Sequence, residues 1–361
     1  MNTIRCAAVF ESLSPENRTL AEKLRARQES GEICLAAYAS PEPLEEMGDI
    51  PCLPREQIKD TVPEWVFYFS EDVGRTNFRK KDVLKQYIPR FLVKPLRRLE
   101  MKLTARRNRK KWDGFTGWNV PVPEPELSEG SAFSPLDDAG IPAERVIPAY
   151  VLNLPAFRMG DYVRLRELGI SFLSDDCWAG LMYNTLGMEM QSPFINMFIR
   201  DGDYLRLVSD PEKYLREPLV PVNLRKATTG SRYYPVVRLG DVEMHFNHAT
   251  DPQKFEEYAA RWYIRRRRIR YDRLFAKFAV KDPETEEECL RVFASLPYPH
   301  LVFVPHPCAE PNTVYLEDID KHPGYFKDGY AECVRACAKN DLPSGVPYDF
   351  LSTYLQTAKT E

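Results

Sequence analysis

The N-terminal part of the chain consists of short apolar runs separated by amphipathic segments. The runs at residues 4–10, 33–38 and 65–69 have the length and composition of buried strands. Between the first two runs, Ser14 is placed to cap a helix whose apolar residues recur every three or four positions until Gly31. Strands that alternate with helices in this way predict a parallel open sheet.

The loop after the first strand limits what such a sheet binds. It runs from Glu11 to Glu16 and contains no glycine. A dinucleotide-binding loop needs glycines, because only they let the backbone approach the pyrophosphate closely. We therefore expect an α/β fold that begins with a Rossmann-like parallel open sheet without a glycine loop, and we assign no cofactor to the chain.

The second part of the chain carries a different mixture of signals. A helical pattern and a strand occupy residues 161–168 and 170–174, a helix begins at Trp178, and residues 252–268 form a long amphipathic helix. Two apolar runs on either side of Gly240 predict a hairpin. This mixture is typical of a second α/β or α+β domain.

Length and proline content indicate how the chain is divided. At roughly 100–200 residues per domain, 361 residues favour two domains. Four prolines lie among polar residues between Pro121 and Asp138, as is usual in linkers. We predict an N-terminal domain with a basic helical segment at residues 1–120, a linker at residues 121–140 and a second domain at residues 141–361.

One segment concentrates the positive charge of a chain whose net charge is −3. Between Arg75 and Lys111, fifteen lysines and arginines are accompanied by only two acids. The helical spacing of the apolar residues in this segment favours a peripheral contact with an anionic membrane, although a solvated helix face explains the same pattern. The segment has few aromatic residues and no nucleic-acid reader motif, so we expect no nucleic-acid partner.

The sequence shows no pattern for export or membrane insertion. Residues 1–10 lack the layout of a secretory signal, and the longest uncharged run, at residues 292–309, contains four prolines. The eight cysteines are scattered, with neither a CxxC pair nor a disulfide spacing. We predict a cytoplasmic protein, with peripheral attachment to the inner membrane face as an option.

The most informative chemistry is a cysteine in a predicted strand-to-helix turn. Cys177 follows Asp175 and Asp176 and precedes Trp178. At a helix start, the dipole and the free N–H groups stabilise a thiolate. We assign His245 as the base that activates Cys177, with Asp176 orienting one of them. The alternative is structural, with Asp176 as the helix cap and the cysteine as a small buried side chain.

Two further patterns bear on metal binding. His245 and His248 are three residues apart, so a regular strand directs them to opposite sides and a two-histidine metal site is not expected. Asp175, Asp176 and Asp203 resemble the carboxylates that hold a metal–nucleotide in glycosyltransferases, but capping and turn roles explain them as well. We predict no metal site.

Several pieces of the second part together resemble a bacterial family of unknown function whose members are commonly labelled exopolysaccharide biosynthesis proteins. The pieces are Gly140-Ile141-Pro142, the SDDCWAG turn at 174–180, Gln191-Ser192-Pro193-Phe194, Asp203-Tyr204, His245-Phe246-Asn247-His248, Trp262, the arginine run and Lys277-Phe278. The resemblance implies a cytoplasmic role in assembling or decorating a surface glycan, and it implies no reaction. Within these pieces we predict substrate contacts from Asp175, Trp178, Gln191, Ser192, Asn247 and His248.

An arginine run at the end of the long helix is a second candidate site. Arg265, Arg266, Arg267 and Arg268 cover more than one helix face, and guanidinium groups bind phosphate in a bidentate manner. We predict that they hold the phosphate of a nucleotide- or lipid-linked sugar. The alternative is a solvated helix end whose charges complement the dipole.

These observations leave three classes of function open. The leading hypothesis is a cytoplasmic transferase of surface-glycan biosynthesis that acts on a sugar-phosphate or nucleotide-sugar substrate. The second is a non-enzymatic carbohydrate-binding or scaffold component of the same assembly. The third is a cysteine-dependent acyltransferase or hydrolase.

Overall fold

The computed structural model describes residues 3–70, 101–126, 134–153, 158–227, 232–280, 283–304 and 306–315. In this part of the chain the protein has a mixed α/β fold with three four-stranded sheets. Most of the basic segment and the C-terminal residues 316–361 lie outside the described residues, as do residues 127–133 of the predicted linker.

The strands in chain order are β1 (Ile4–Phe10), β2 (Ile33–Ala39), β3 (Trp65–Phe69), β4 (Val146–Pro148), β5 (Ser171–Ser174), β6 (Phe198–Ile199), β7 (Leu219–Lys226), β8 (Tyr233–Leu239), β9 (Val242–His245), β10 (Leu274–Ala279), β11 (His300–Val304) and β12 (Thr313–Tyr315). The α-helices are α1 (Pro15–Glu29), α2 (101–110), α3 (Met159–Leu168), α4 (Trp178–Thr185), α5 (Asp201–Ser209), α6 (Pro211–Arg216), α7 (Pro252–Arg267) and α8 (Glu286–Ala294).

The first sheet is parallel and has the order β2-β1-β3-β4. Helix α1 connects β1 to β2, and the Ser14 Oγ accepts a hydrogen bond from the backbone N–H of Asn17 at 3.2 Å, which caps the helix. The parallel arrangement predicted from the alternating strands and helices is therefore confirmed. Strand β4 extends this sheet with residues from beyond the predicted linker, while the predicted domain division itself stays a prediction.

The second sheet is also parallel, with the order β12-β11-β10-β5. Its third strand is buried on both faces, since every residue from Leu274 to Ala279 is buried. Phe275 and Ala279 pack in one core together with Phe10, Phe67 and Trp178. The alternate residues of the strand pack in a second core. This sheet therefore lies at the centre of the described structure.

The third sheet is antiparallel, with the order β6-β9-β8-β7. Strands β8 and β9 form the predicted hairpin, with Leu239 paired to Val242 and Gly240 in the left-handed region at a φ of 64°. Helix α7 packs on this sheet through Tyr263, whose hydroxyl accepts from the backbone N–H of Leu219 at 3.1 Å and donates to the carbonyl of Val122 at 2.8 Å.

None of the helices in the described residues combines the length and the apolar character that crossing a bilayer demands.

Candidate functional site

The predicted strand-to-helix turn is present between β5 and α4. The Asp176 Oδ1 accepts a hydrogen bond from the backbone N–H of Trp178, the first residue of α4, at 2.7 Å. The same oxygen accepts from the Ser174 hydroxyl at 3.0 Å. Cys177 is half-buried and directly precedes the helix. Asp176 therefore satisfies one of the free donors at the helix start, and its two hydrogen bonds restrain the turn that carries the thiol.

The imidazole beside this thiol belongs to His248. Its Nε2 lies 3.7 Å from the Sγ of Cys177, and the carbonyl oxygen of Met197 lies 3.8 Å from the same sulfur. Burial lowers the pKa of His248 below its usual 6.5, and the nearby positive charge of Arg232 lowers it further. The ring is therefore neutral near pH 7 and has a lone pair that can accept the thiol proton.

His245, which the sequence analysis assigned as the base, has a different environment. It is fully buried and stacks on Phe198, with ring centroids 4.4 Å apart and planes 8° from parallel. Burial lowers its pKa to about 3, and neither ring nitrogen has a hydrogen-bond partner in the described part of the chain. These features place His245 in the packing between β6 and β9.

The different surroundings of the two histidines have a local cause. Strand β9 ends at His245, so the strict alternation expected through residue 248 stops there. The next residues form a tight turn, in which the Asn247 N–H donates to the carbonyl of His245 at 2.9 Å and the Ala249 N–H donates to that of Phe246 at 2.9 Å. The half-buried His248 leaves this turn towards Cys177.

A fully buried ionic cluster lies directly beneath the turn. The ammonium of Lys277 donates to Asp175 Oδ1 at 3.0 Å and also to Asp176 Oδ2, and all three side chains are inaccessible to solvent. Strand pairing explains the contact, because Lys277 on β10 is in register with Ser174, the last residue of β5. A lysine side chain from that position reaches the two acids that follow.

The cluster limits the contacts that Asp175 and Asp176 can make with a metal ion or a substrate. Both carboxylates are engaged by a lysine, and Asp203 forms an ion pair with Arg206. In the described residues no group of three or more His, Cys, Asp or Glu side chains is arranged to hold a metal ion. Asp175 and Asp176 are both buried and both contact Lys277.

The remaining predicted contact residues of this region are spread over several environments. Trp178 is buried in the core, where its ring meets that of Phe172 edge-on at 5.5 Å. Ser192 is fully buried, and its hydroxyl accepts from the backbone N–H of Phe194 at 3.3 Å. Asn247 belongs to the turn that carries His248. Gln191 lines a separate cavity.

The four arginines predicted to hold phosphate lie in different environments and have different partners. Arg266 and Arg267 both contact Glu124, at 2.5 Å and 2.7 Å, so they fasten the end of the described linker to α7. Arg268 pairs with Glu189 at 2.9 Å. Arg265 is half-buried and forms no ion pair with the described residues. Burial, together with the charges of neighbouring arginines, lowers its pKa to about 10.

Lys277 belongs to the site, although the sequence pattern alone did not assign it there. The signal was present, since one lysine interrupts the otherwise apolar Leu274–Ala279 run. A lysine in a strand that is buried on both faces requires an acidic partner. From the sequence, His248 is expected only as a substrate contact, because regular strand alternation through residue 248 turns it away from His245.

Comparison with known proteins places this site inside a region that matches a domain of unknown function. Residues 151–321 match the model of a domain of unknown function (DUF1919). Over 143 residues, or 40% of this chain, the sequence is 30% identical to an uncharacterized protein of Haemophilus influenzae. The chain spans 65% of the length of that relative. Both findings support similarity to a domain of unknown function, and neither carries a glycan role.

Proposed function

We propose that this chain is a cysteine-dependent transferase in which Cys177 carries an acyl group and His248 moves the proton. The observation that supports the proposal most is the 3.7 Å separation between the Cys177 Sγ and the His248 Nε2. A thiol is a weak nucleophile until a neighbouring base accepts its proton. The lowered pKa of His248 keeps that base neutral and available near pH 7.

The reaction proceeds in two balanced steps. The thiol proton passes to His248 Nε2 as the sulfur bonds to the carbonyl carbon of the acyl donor, and the leaving group then departs with that proton, leaving a Cys177 thioester. A hydroxyl of the acceptor attacks the thioester carbon and gives its proton to His248. The thiolate leaves and recovers that proton, so no further reactant is needed. With water as the acceptor the same steps amount to hydrolysis.

The buried ionic cluster supports the proposed role of Cys177 by holding the turn that carries it. Asp176 fixes the backbone of the turn by accepting from the Trp178 N–H, and Lys277 holds Asp176 from the neighbouring strand. Neither side chain reaches solvent. Asp176 and Lys277 are therefore proposed as positioning residues, since rigid support of a nucleophile makes a productive approach more frequent.

A surface glycan is the proposed context of the reaction. The sequence resemblance supports it, and a glycan hydroxyl is a suitable acceptor for the second step.

We also propose that the first sheet is a Rossmann-like layer without a glycine loop, and that residues 75–111 bring the protein to an anionic membrane. The fifteen basic residues of that segment support the membrane contact.

A second candidate function retains the phosphate-bearing substrate predicted from the sequence. It is favoured by Arg265, a half-buried guanidinium without an acidic partner among the described residues, beside Arg261 and Arg268. An anion would offset the mutual repulsion of these charges. Nucleotide sugars should then raise the melting temperature, and Arg265→Gln should abolish the rise while Arg216→Gln on α6 preserves it. No rise across a broad panel would remove this candidate.

The acyl-transfer proposal is tested by trapping the thioester. The protein is incubated with p-nitrophenyl acetate, and its peptides are analysed by mass spectrometry. We expect an acetyl group on the Cys177 peptide, a loss of about two orders of magnitude in acetylation rate with His248→Gln, and none at that position with Cys177→Ser. Acetylation of the exposed Cys34 and Cys52 serves as the internal control. Equal labelling of all three cysteines would refute the proposal.

A further inference from the structure

A second concave site lies apart from the Cys177–His248 pair. It is a cavity of about 860 Å³, formed by the edge of the first sheet, helix α3 and the segment that follows α4. Neither Cys177 nor His248 lines it, nor does any member of the buried ionic cluster. Its volume falls within the range of small-molecule sites.

Aromatic rings and a fixed guanidinium form one part of the wall. Trp65, Tyr68 and Tyr150 line the cavity and are half-buried. The guanidinium of Arg166 lies over the Trp65 ring, 5.3 Å from its centroid, and donates to the carbonyls of Val146 at 3.1 Å and Glu144 at 3.0 Å. The wall is therefore ordered and partly apolar before any ligand arrives.

Side chains that accept hydrogen bonds form the other part of the wall. The Oε1 of Gln191 is buried and has no donor among the described residues. Glu144 and Glu167 also line the cavity, and both are exposed, so their carboxylates can accept hydrogen bonds from a ligand. The free-energy cost of an unpaired buried acceptor applies to the Gln191 Oε1 alone, and a donor-bearing ligand would remove it.

The balance of charge indicates what kind of ligand fits. Four glutamates line the cavity, together with two arginines, so an anionic ligand is disfavoured. A neutral molecule with many hydroxyl groups can donate to the Gln191 Oε1 and to the glutamates of the wall, and its C–H faces pack on aromatic rings. We propose that this cavity binds a neutral saccharide. The inference deepens the glycan part of the proposed function and rests on it only for the biological source of the sugar.

The test is a direct binding titration of the full chain. Glucose, galactose, N-acetylglucosamine and their β-linked disaccharides are titrated by calorimetry, with tryptophan fluorescence as a second signal from Trp65. We expect at least one of these sugars to bind. Gln191→Leu and Glu167→Gln should each raise the dissociation constant about tenfold, because the first removes the acceptor oxygen and the second replaces a charged acceptor oxygen with an NH2 donor.

Matched controls use the same substitutions on an exposed segment of the first domain. Gln57→Leu and Glu56→Gln should leave saccharide affinity unchanged, and circular dichroism melts establish that every variant is folded. Absence of binding by all the sugars would overturn the proposal, as would affinity that Gln191→Leu and Glu167→Gln do not alter. Binding of spermine in place of sugars would also overturn it, because it would assign the cavity to organic cations.

The same titration separates this proposal from the thiol chemistry. Cys177→Ser should bind saccharide as well as the unmodified chain does, because the residue is outside the cavity lining. If the chain binds sugar but Cys177 is not acetylated, only the acyl-transfer proposal is contradicted. If Cys177 is acetylated but no sugar binds, only the saccharide site is contradicted.

Discussion

At the residue scale, two histidines three positions apart have opposite properties. His248 is half-buried beside a thiol, whereas His245 is sealed between aromatic rings without a hydrogen-bond partner in the described residues. Their separation comes from the point at which β9 ends, which hydrophobic periodicity alone does not locate. The candidate base is therefore identified by the tertiary contact with Cys177.

The buried His245 should make the protein sensitive to acid. Its folded pKa is about 3, below the usual 6.5, so the unfolded state gains a proton first as the pH falls. Stability that is fully present above pH 6.5 is lost progressively towards pH 3. Between pH 7 and pH 5 the loss is on the order of 2 kcal/mol.

The substitution His245→Phe should remove that part of the pH dependence and hold or raise stability at pH 7, since it deletes two unpaired nitrogens. Urea denaturation at pH 5 and pH 7 measures both effects. A variant with the same pH dependence as the original chain would show that His245 is not the titrating group.

At the element scale, the turn between β5 and α4 is held by a strand that follows it by about a hundred residues. Lys277 is in register with Ser174, and its ammonium bonds both acids of the turn. Such a cluster is itself weak evidence for stability, because desolvation opposes the attraction between the charges. Its clear consequence is that the turn and β10 are mutually dependent.

Removing the Lys277 ammonium should therefore lower the stability of the protein strongly. Lys277→Met leaves two carboxylates buried without their ammonium and should destabilise the protein by about 3–5 kcal/mol. Lys254→Met at an exposed position of α7 is the matched control and should change stability little. The free energy of unfolding in urea distinguishes them. Equal stability of the two variants would contradict the interdependence of the turn and β10.

The Asp251 cap of α7 should make a smaller contribution to the free energy of unfolding. Asp251 Oδ1 accepts from the backbone N–H of Lys254 at 3.0 Å, which satisfies one of the free donors at the helix start. Asp251→Ala should lower the free energy of unfolding by about 1 kcal/mol. Asp251→Asn, which keeps a capping oxygen, should recover most of the loss. If both variants lost the same free energy of unfolding, the loss would come from the missing charge of Asp251 and not from the missing capping oxygen.

At the scale of the whole molecule, the sequence predicts local elements far better than long-range contacts. The strands Ile4–Phe10 and Trp65–Phe69, the β8–β9 hairpin and α7 all follow from hydrophobic periodicity and capping residues, which act over a few positions. The Cys177–His248 contact joins residues 71 positions apart, and it depends on strand pairing that no local pattern specifies. The Asp–Lys cluster depends on strand pairing in the same way.

The arrangement of the cores predicts how the molecule unfolds. Phe10 and Phe67 of the first sheet share a core with Trp178 and with Phe275 of the second sheet. The two parallel sheets should therefore unfold together, although the sequence favours two domains. Scanning calorimetry should give one transition for both sheets, and Phe172→Ala, which removes a buried ring from this shared core, should lower it as a whole. Two separate transitions, only one of them lowered, would contradict the shared core.

The pH profile of Cys177 alkylation tests the central claim most directly. Iodoacetamide labelling is followed at each cysteine by mass spectrometry, with the exposed Cys34 and Cys52 as references. Cys177 is expected to react well below pH 8, ahead of the references, and His248→Gln should move its profile to higher pH while His245→Phe does not. If Cys177 reacts no faster than the references, with or without His248, then His248 does not activate the Cys177 thiol.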